Sequence, residues 1–159
     1  MADKKIDPRG ELETRKHRER VAQVVNMFVT RLLERAEKHD LSKLESPEVE
    51  ILAESTAKLS ALTYGSPEYK EQLESVDMKP FLEHHRAKNR HHPEHFPDGI
   101  KGMTLLDIIE LLCDWKAASE RHNDGNILKS IEVNAERFDI PPVLTAILVN
   151  TVKFLSLVE

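Results

Sequence analysis

Between Gly10 and Pro47 the chain carries neither glycine nor proline. Over that stretch Val21, Val24, Phe28 and Leu32 recur three and four residues apart, the spacing of one helical face. So long a segment without a chain-breaking residue has one regular solution. The pattern predicts a single helix from about Glu11 to His39, preceded by a flexible N-terminus over residues 1–10.

Later punctuation divides the rest of the chain in the same way. Ser46-Pro47-Glu48 reads as a helix start, with Ser at the N-cap, Pro at the first helical position and Glu in the first turn. That helix is expected to run to about Leu62, ahead of Tyr64-Gly65. Ser66-Pro67-Glu68 repeats the signal for a short helix. Pro80 opens another, expected to reach about His92, after which Pro93, Pro97, Gly99 and Gly102 make the longest irregular stretch. Thr104 and Asp107 form a capping pair for a helix to about His122. Asn123-Asp124-Gly125-Asn126 is a turn, followed by a helix from Ile127 to Phe138. Asp139-Ile140-Pro141 caps a last helix from Val143 to Leu157. No segment sustains period-two alternation, so the expectation is an all-α fold: residues 11–159 as a single domain, a bundle of six or seven helices.

Composition narrows the class. Hydrophobic residues are 40% and charged residues 32% of the 159, which excludes a disordered polyelectrolyte and an integral membrane protein. A formal charge of -5 argues against a broad nucleic-acid or anionic-membrane footprint. The most apolar stretch, Val143 to Val158, is interrupted by Asn150 and Lys153 and is too short for a bilayer. One cysteine, Cys113, excludes an intrachain disulfide and a thiolate zinc finger. Its place after Leu111-Leu112 predicts a packed core thiol. With no secretion-type apolar segment at the N-terminus, the expected location is cytoplasmic.

The chemistry concentrates in histidine. Of eight histidines, His84, His85, His91, His92 and His95 crowd into one short segment. Neutral imidazole ligates metals and also serves as a general acid or base near neutral pH. On a helix from Pro80 to His92, Met78, Leu82, His85, Asn89 and His92 would share one stripe, which turns His85, Asn89 and His92 inward. The blander reading is a set of partly exposed, hydrogen-bonded histidines. His91 and His95 are four apart, but Pro93 between them breaks the helix that a zinc-protease motif needs.

Two further elements supply oxygen donors. His39-Asp40 closes the long helix and offers an imidazole nitrogen and a carboxylate oxygen to one metal, or a carboxylate bridge to two. Lys43 then lies within reach of a bound phosphate. The alternative is a C-terminal His favouring the helix dipole and an Asp starting a turn. Asp107, Glu110 and Asp114 share one face of the helix from Thr104, either as a solvated acidic stripe or with Asp114 turned inward. Together His39, Asp40, His85, His92 and Asp114 make an oxygen and nitrogen donor set. Without thiolates it suits Mn, Fe, Mg or a catalytic Zn.

At these residues the chain resembles known families. His17, His39-Asp40-Leu41-Ser42-Lys43, the run from His84-His85 through Asn89-Arg90-His91-His92-Pro93-Glu94-His95-Phe96, and Leu112-Cys113-Asp114-Trp115-Lys116-Ala117 look like an uncharacterised bacterial and phage family, a domain of unknown function. More distantly, the order is similar to the HD superfamily of metal-dependent phosphohydrolases. That resemblance implies an HD-like helical fold, with His39 and Asp40 as the His-Asp pair and Asp114 as the late aspartate ligand. It makes His85 and His91 or His92 the added ligands, and Lys43 the lysine after the pair. His17 departs from the pattern. On a continuous helix it stands roughly 33 Å from His39 at 1.5 Å per residue, so it is left out of the site.

The expected function is a metal-dependent phosphohydrolase acting on a nucleotide or related phosphate ester, a small-molecule substrate. Its one or two divalent metals would be held by His39, Asp40, His85, His92 and Asp114, would polarise a phosphoryl oxygen and supply hydroxide. Lys43 would neutralise phosphoryl charge, and Glu110 or His91 would handle the proton. Two alternatives use the same residues: an HD-like di-iron oxygenase, and a non-enzymatic helical binding or regulatory protein with structural histidines. The apolar last helix allows a homodimer.

Overall fold

The computed structural model describes residues 8–60, 62, 66–68, 71, 75, 78–121 and 125–158. Among these residues there are six α-helices, three short 3-10 helices and no strand, so the fold is all-α. We number the helices α1 (Pro8–Lys38), α2 (Glu48–Ser60), α3 (Lys79–Lys88), α4 (Leu105–Ser119), α5 (Ile127–Arg137) and α6 (Pro142–Phe154). The 3-10 segments are Leu41–Leu44, Pro93–His95 and Gly99–Gly102. The short helix expected from Ser66 lies largely outside the described residues, as does most of the turn expected at Asn123-Asp124. No described helix is long and apolar enough to cross a membrane.

The chain divides into two compact units, up to Glu37 and from Lys38 onward. The first is α1, unbroken as the lack of Gly and Pro after Gly10 demands, with Pro8 at its first position. Its surface carries ion pairs one turn apart, Arg15 with Glu11 at 2.6 Å and Arg31 with Glu34 at 2.7 Å. Such pairs add about 0.2–0.5 kcal/mol each to a helix. His17, Val21, Val25 and Phe28 are all exposed on it.

The second unit has a core of α4, α5 and α6 side chains around Leu111, Trp115, Ile127, Ile131, Leu148 and Val152. The Trp115 ring stacks on Phe138 with centroids 6.5 Å apart. The expected cap of α4 is present in full: Asp107 N donates to Thr104 Oγ1, and Thr104 N donates to Asp107 Oδ2 at 2.7 Å. Asn126 caps α5 by accepting from Leu128 N and Lys129 N. Asp139, expected to open the last helix, instead closes α5. It takes a left-handed conformation (φ 49°) while Ile140 N donates back to Ala135 O at 2.9 Å, a Schellman closure. The cap of α6 is Pro141. Ser156 (φ 55°) repeats the Schellman closure at the end of α6, with Leu157 N on Val152 O at 2.9 Å, so that helix stops at Phe154 rather than Leu157. Its other face leaves Val143, Ile147 and Phe154 exposed.

Two further expectations about the fold are corrected. Cys113 is exposed rather than packed, because the helical turn of about 100° per residue carries it off the face that buries Leu111 and Leu112. The helix from Pro80 ends at Lys88, not His92. Asn89 is already extended (φ -108°, ψ 109°), and its side-chain amide donates to His85 O at 2.8 Å in competition with the backbone ladder. His92 is extended as well (φ -90°, ψ 126°), the conformation that Pro93 imposes on the residue before it. His91 and His92 therefore sit on a turn and reach inward from it. The irregular stretch after them is compact: a Cβ on Gly102 would meet Phe96 Cβ at 2.9 Å, so only glycine lets the two 3-10 turns close together.

Candidate metal centre

Four separate segments of the second unit deliver side chains to one place. The first follows the end of α1. There Asp40 adopts a left-handed conformation (φ 57°), which Asp tolerates better than most residues, and the chain turns into Leu41–Leu44. Lys43 N donates to Asp40 O at 2.9 Å, and Lys43 Nζ reaches back to Asp40 Oδ2 at 2.5 Å. The second segment is α3 with His84 and His85. The third is the turn bearing His91 and His92, which Arg90 fastens to the start of α4. Its guanidinium grips Asp107 through Nε (3.2 Å) and Nη2 (3.1 Å) and lies over the Phe96 ring at 4.9 Å. The fourth is α4 with Glu110 and Asp114.

Asp40 is the hub. Its Oδ1 lies 3.3 Å from His85 Nε2 and 3.5 Å from His91 Nε2. Its Oδ2 lies 3.5 Å from His39 Nε2, which in turn is 3.6 Å from Asp114 Oδ1. The His91 ring is 4.4 Å from that of His39 and 4.1 Å from that of His92, centroid to centroid, and His92 is 4.8 Å from His85. Two overlapping donor groups result: Asp40, His85, His91 and His92, and His39, Asp40, His91 and Asp114. In each, one donor atom per residue lies within 4.8 Å of all the others.

Two histidines are oriented from behind by carboxylates. Glu110 Oε1 accepts from His39 Nδ1 at 2.9 Å, and Glu48 Oε2 accepts from His85 Nδ1 at 2.8 Å. Both rings thereby turn Nε2 toward Asp40. Glu110 Oε1 also lies 3.3 Å from His91 Nδ1.

The electrostatics follow from burial and neighbours. Asp114 and Glu110 raise His39 to about 10. Burial drives His92 down to about 3, helped by His91 and His85, and lowers His85 too. Burial would raise Asp40 and Asp114, but Lys43 holds the first and His39 the second below the ordinary carboxylate value. His85 and His92 are thus neutral imidazoles beside ionised carboxylates, the protonation states in which both act as ligands.

Asp40 Oδ1, His91 Nδ1, His91 Nε2 and His92 Nε2 are all buried without a hydrogen-bond partner among the described residues. Leaving such an atom unsatisfied costs about 1–3 kcal/mol, and several together in one spot demand a common partner. A divalent cation fits: imidazole nitrogens, carboxylate oxygens and no thiolate are the donors of Zn, Fe and Mn sites.

The structure thus brings together His39, Asp40, His85, His92 and Asp114, the five candidate donors read from sequence, with Lys43 against Asp40 and Glu110 behind His39. His91, expected as a proton carrier, lies among the donors and belongs to both groups, 1% exposed. Asp107 is 0% exposed and belongs to the α4 cap, so it is neither solvated face nor site. His84 donates to Glu48 Oε1 at 2.8 Å, and His95 Nδ1 donates to Arg86 O at 3.0 Å, both outside the donor groups. Sequence reasoning missed Glu48, which reads as an ordinary first-turn acid of α2 and is fully buried.

Fold and donor set define an all-α protein with a buried histidine–carboxylate cluster. The chain belongs to DUF5662, a family of unknown function, over residues 8–154. No curated protein and no solved structure matches it.

Proposed function

We propose that this protein is a metal-dependent phosphohydrolase acting on a nucleotide or a related phosphate ester. The observation that carries the reading is the group of buried, unpartnered donor atoms on Asp40, His91 and His92, ringed by His39, His85 and Asp114. In this reading these six residues hold one or two divalent cations. A bound cation supplies Lewis acidity toward a phosphoryl oxygen and lowers the pKa of water.

The chain's own groups do the rest. Glu110 accepts the Nδ1 proton of His39 and keeps its Nε2 facing the two aspartates. Lys43, one turn beyond Asp40 and partly exposed, stands at the rim of the donors and neutralises charge developing on phosphoryl oxygens. Since His91 joins the ligands, Glu110 is the group left to accept a proton. A di-iron oxygenase would draw on the same donors, and oxygen consumption separates it from a hydrolase.

The test is elemental analysis of the purified, untagged protein, followed by a screen of nucleotides and phosphate esters. About one or two equivalents of Mn, Fe, Co, Ni or Zn per chain are expected, with phosphate released. Asp40→Ala should lose both while its far-UV spectrum stays helical. A chain that stays empty after metals are added overturns the reading.

A further inference from the structure

Glu48 lies beside the centre and belongs to neither donor group, yet it is 0% exposed. Burying a carboxylate costs several kcal/mol unless both oxygens find partners. Here they do: Oε1 accepts from His84 Nδ1 and Oε2 from His85 Nδ1, each at 2.8 Å. With each oxygen set on an imidazole Nδ1, the carboxylate is the acceptor in both contacts and the rings are the donors.

That fixes the proton on His85. Two other groups lie near its Nδ1, Asn89 Nδ2 at 3.0 Å and Ser42 Oγ at 3.5 Å. Both hydrogens of the Asn89 amide are spent elsewhere, on Ser42 Oγ at 2.7 Å and His85 O at 2.8 Å. An acceptor-only carboxylate at 2.8 Å is then the partner of Nδ1, and Nδ1 carries the hydrogen. The other nitrogen, Nε2, faces Asp40 Oδ1 with its lone pair.

We propose that Glu48 is a positioning residue of the metal centre: its carboxylate locks His85 in the Nδ1-protonated form and presents Nε2 to the cation. The inference rests on the metal-binding reading and adds a residue from α2 that contributes no ligand of its own. Outer carboxylates of this kind fix ring orientation and raise the basicity of the ligating nitrogen, and losing one costs about 10–100-fold in metal affinity. The arrangement parallels Glu110 behind His39, but Glu48 is the more committed of the two because water has no access to it.

Two measurements on the full chain test this. Long-range proton–nitrogen NMR of the metal-free protein reads the tautomer directly and needs no variant: His85 is expected with Nδ1 protonated and Nε2 bare. Titration with Co(II) then compares the protein with Glu48→Gln, which keeps the size but offers one acceptor where two are used. A loss of about 10–100-fold in affinity is expected. A wild-type His85 protonated on Nε2 overturns the inference, as does a folded Glu48→Gln variant that binds Co(II) as tightly as wild type; both leave the metal site standing. A wild-type chain that takes up no metal overturns the site and the inference together.

Discussion

His85 Nε2 lies 3.3 Å from Asp40 Oδ1, although one belongs to α3 and the other to the turn after α1. Neither His91 nitrogen nor the Asp40 oxygen beside them finds a hydrogen bond among the described residues. Lone pairs collected in a buried space repel one another, and a positive ion reverses the sign of that interaction.

Asp40→Asn tests the hub with the least disturbance. Asparagine tolerates the left-handed conformation that position 40 requires, so the turn into Leu41–Leu44 survives while the charge disappears. Metal affinity should fall by more than the roughly 100-fold that outer-sphere changes reach. Elemental analysis and circular dichroism check the two halves of this outcome, and full metal content in the Asp40→Asn variant would sink the hub assignment.

Metal uptake should release protons and strengthen as pH rises. In the metal-free protein His39 is raised from 6.5 to about 10 by Asp114 and Glu110, so it is charged at neutral pH and must lose a proton to bind a cation. By the same linkage, the stability that charged His39 gives the metal-free fold is full below 6.5 and is lost as pH rises through about 10. Calorimetric titration in buffers of different ionisation enthalpy counts the protons. An uptake of metal that is independent of pH between those values would contradict the assignment.

Lys43→Ala separates catalysis from metal binding. The lysine touches Asp40 but supplies no donor atom, so metal content should persist while phosphate-ester hydrolysis drops about 100- to 1,000-fold, the range for losing a preorganised charge-stabilising group. Unchanged turnover in a metal-loaded Lys43→Ala protein would remove Lys43 from the mechanism.

Asp107→Ala should act on stability. It removes the α4 cap and the grip on Arg90 at once, and Arg90 can be rehydrated because it is 47% exposed. The expected loss is about 1–3 kcal/mol, measured by urea unfolding of the metal-free protein. A loss below about 0.5 kcal/mol would show that the cap and clamp are not coupled to folding.

Much of this was legible in the chain before any coordinates. Helix positions follow from local rules: the absence of Gly and Pro after Gly10 kept α1 unbroken, Thr104 and Asp107 marked the start of α4, and the turn through Asn126 placed the start of α5 at Ile127. Five members of the two donor groups, His39, Asp40, His85, His92 and Asp114, were already candidates in the sequence, because imidazole and carboxylate clusters are rare enough to stand out. The helical stripe used to turn His92 inward was wrong in its premise, since α3 stops at Lys88 and the Pro93 constraint shapes the turn. The thiol of Cys113 was misplaced because an apolar run does not say which of its members faces the core.

What the sequence determined by itself is what depends on neighbours along the chain: secondary structure, its caps, and the kinds of donor atom available. Tertiary structure alone decided which donors meet. Both His91 and His92 turned inward, and Glu48 became a buried partner of His85, because α2, α3, the His91–His92 turn and α4 converge. Burial and hydrogen-bond partnership are properties of surfaces brought together from distant parts of the chain, and no local periodicity encodes them.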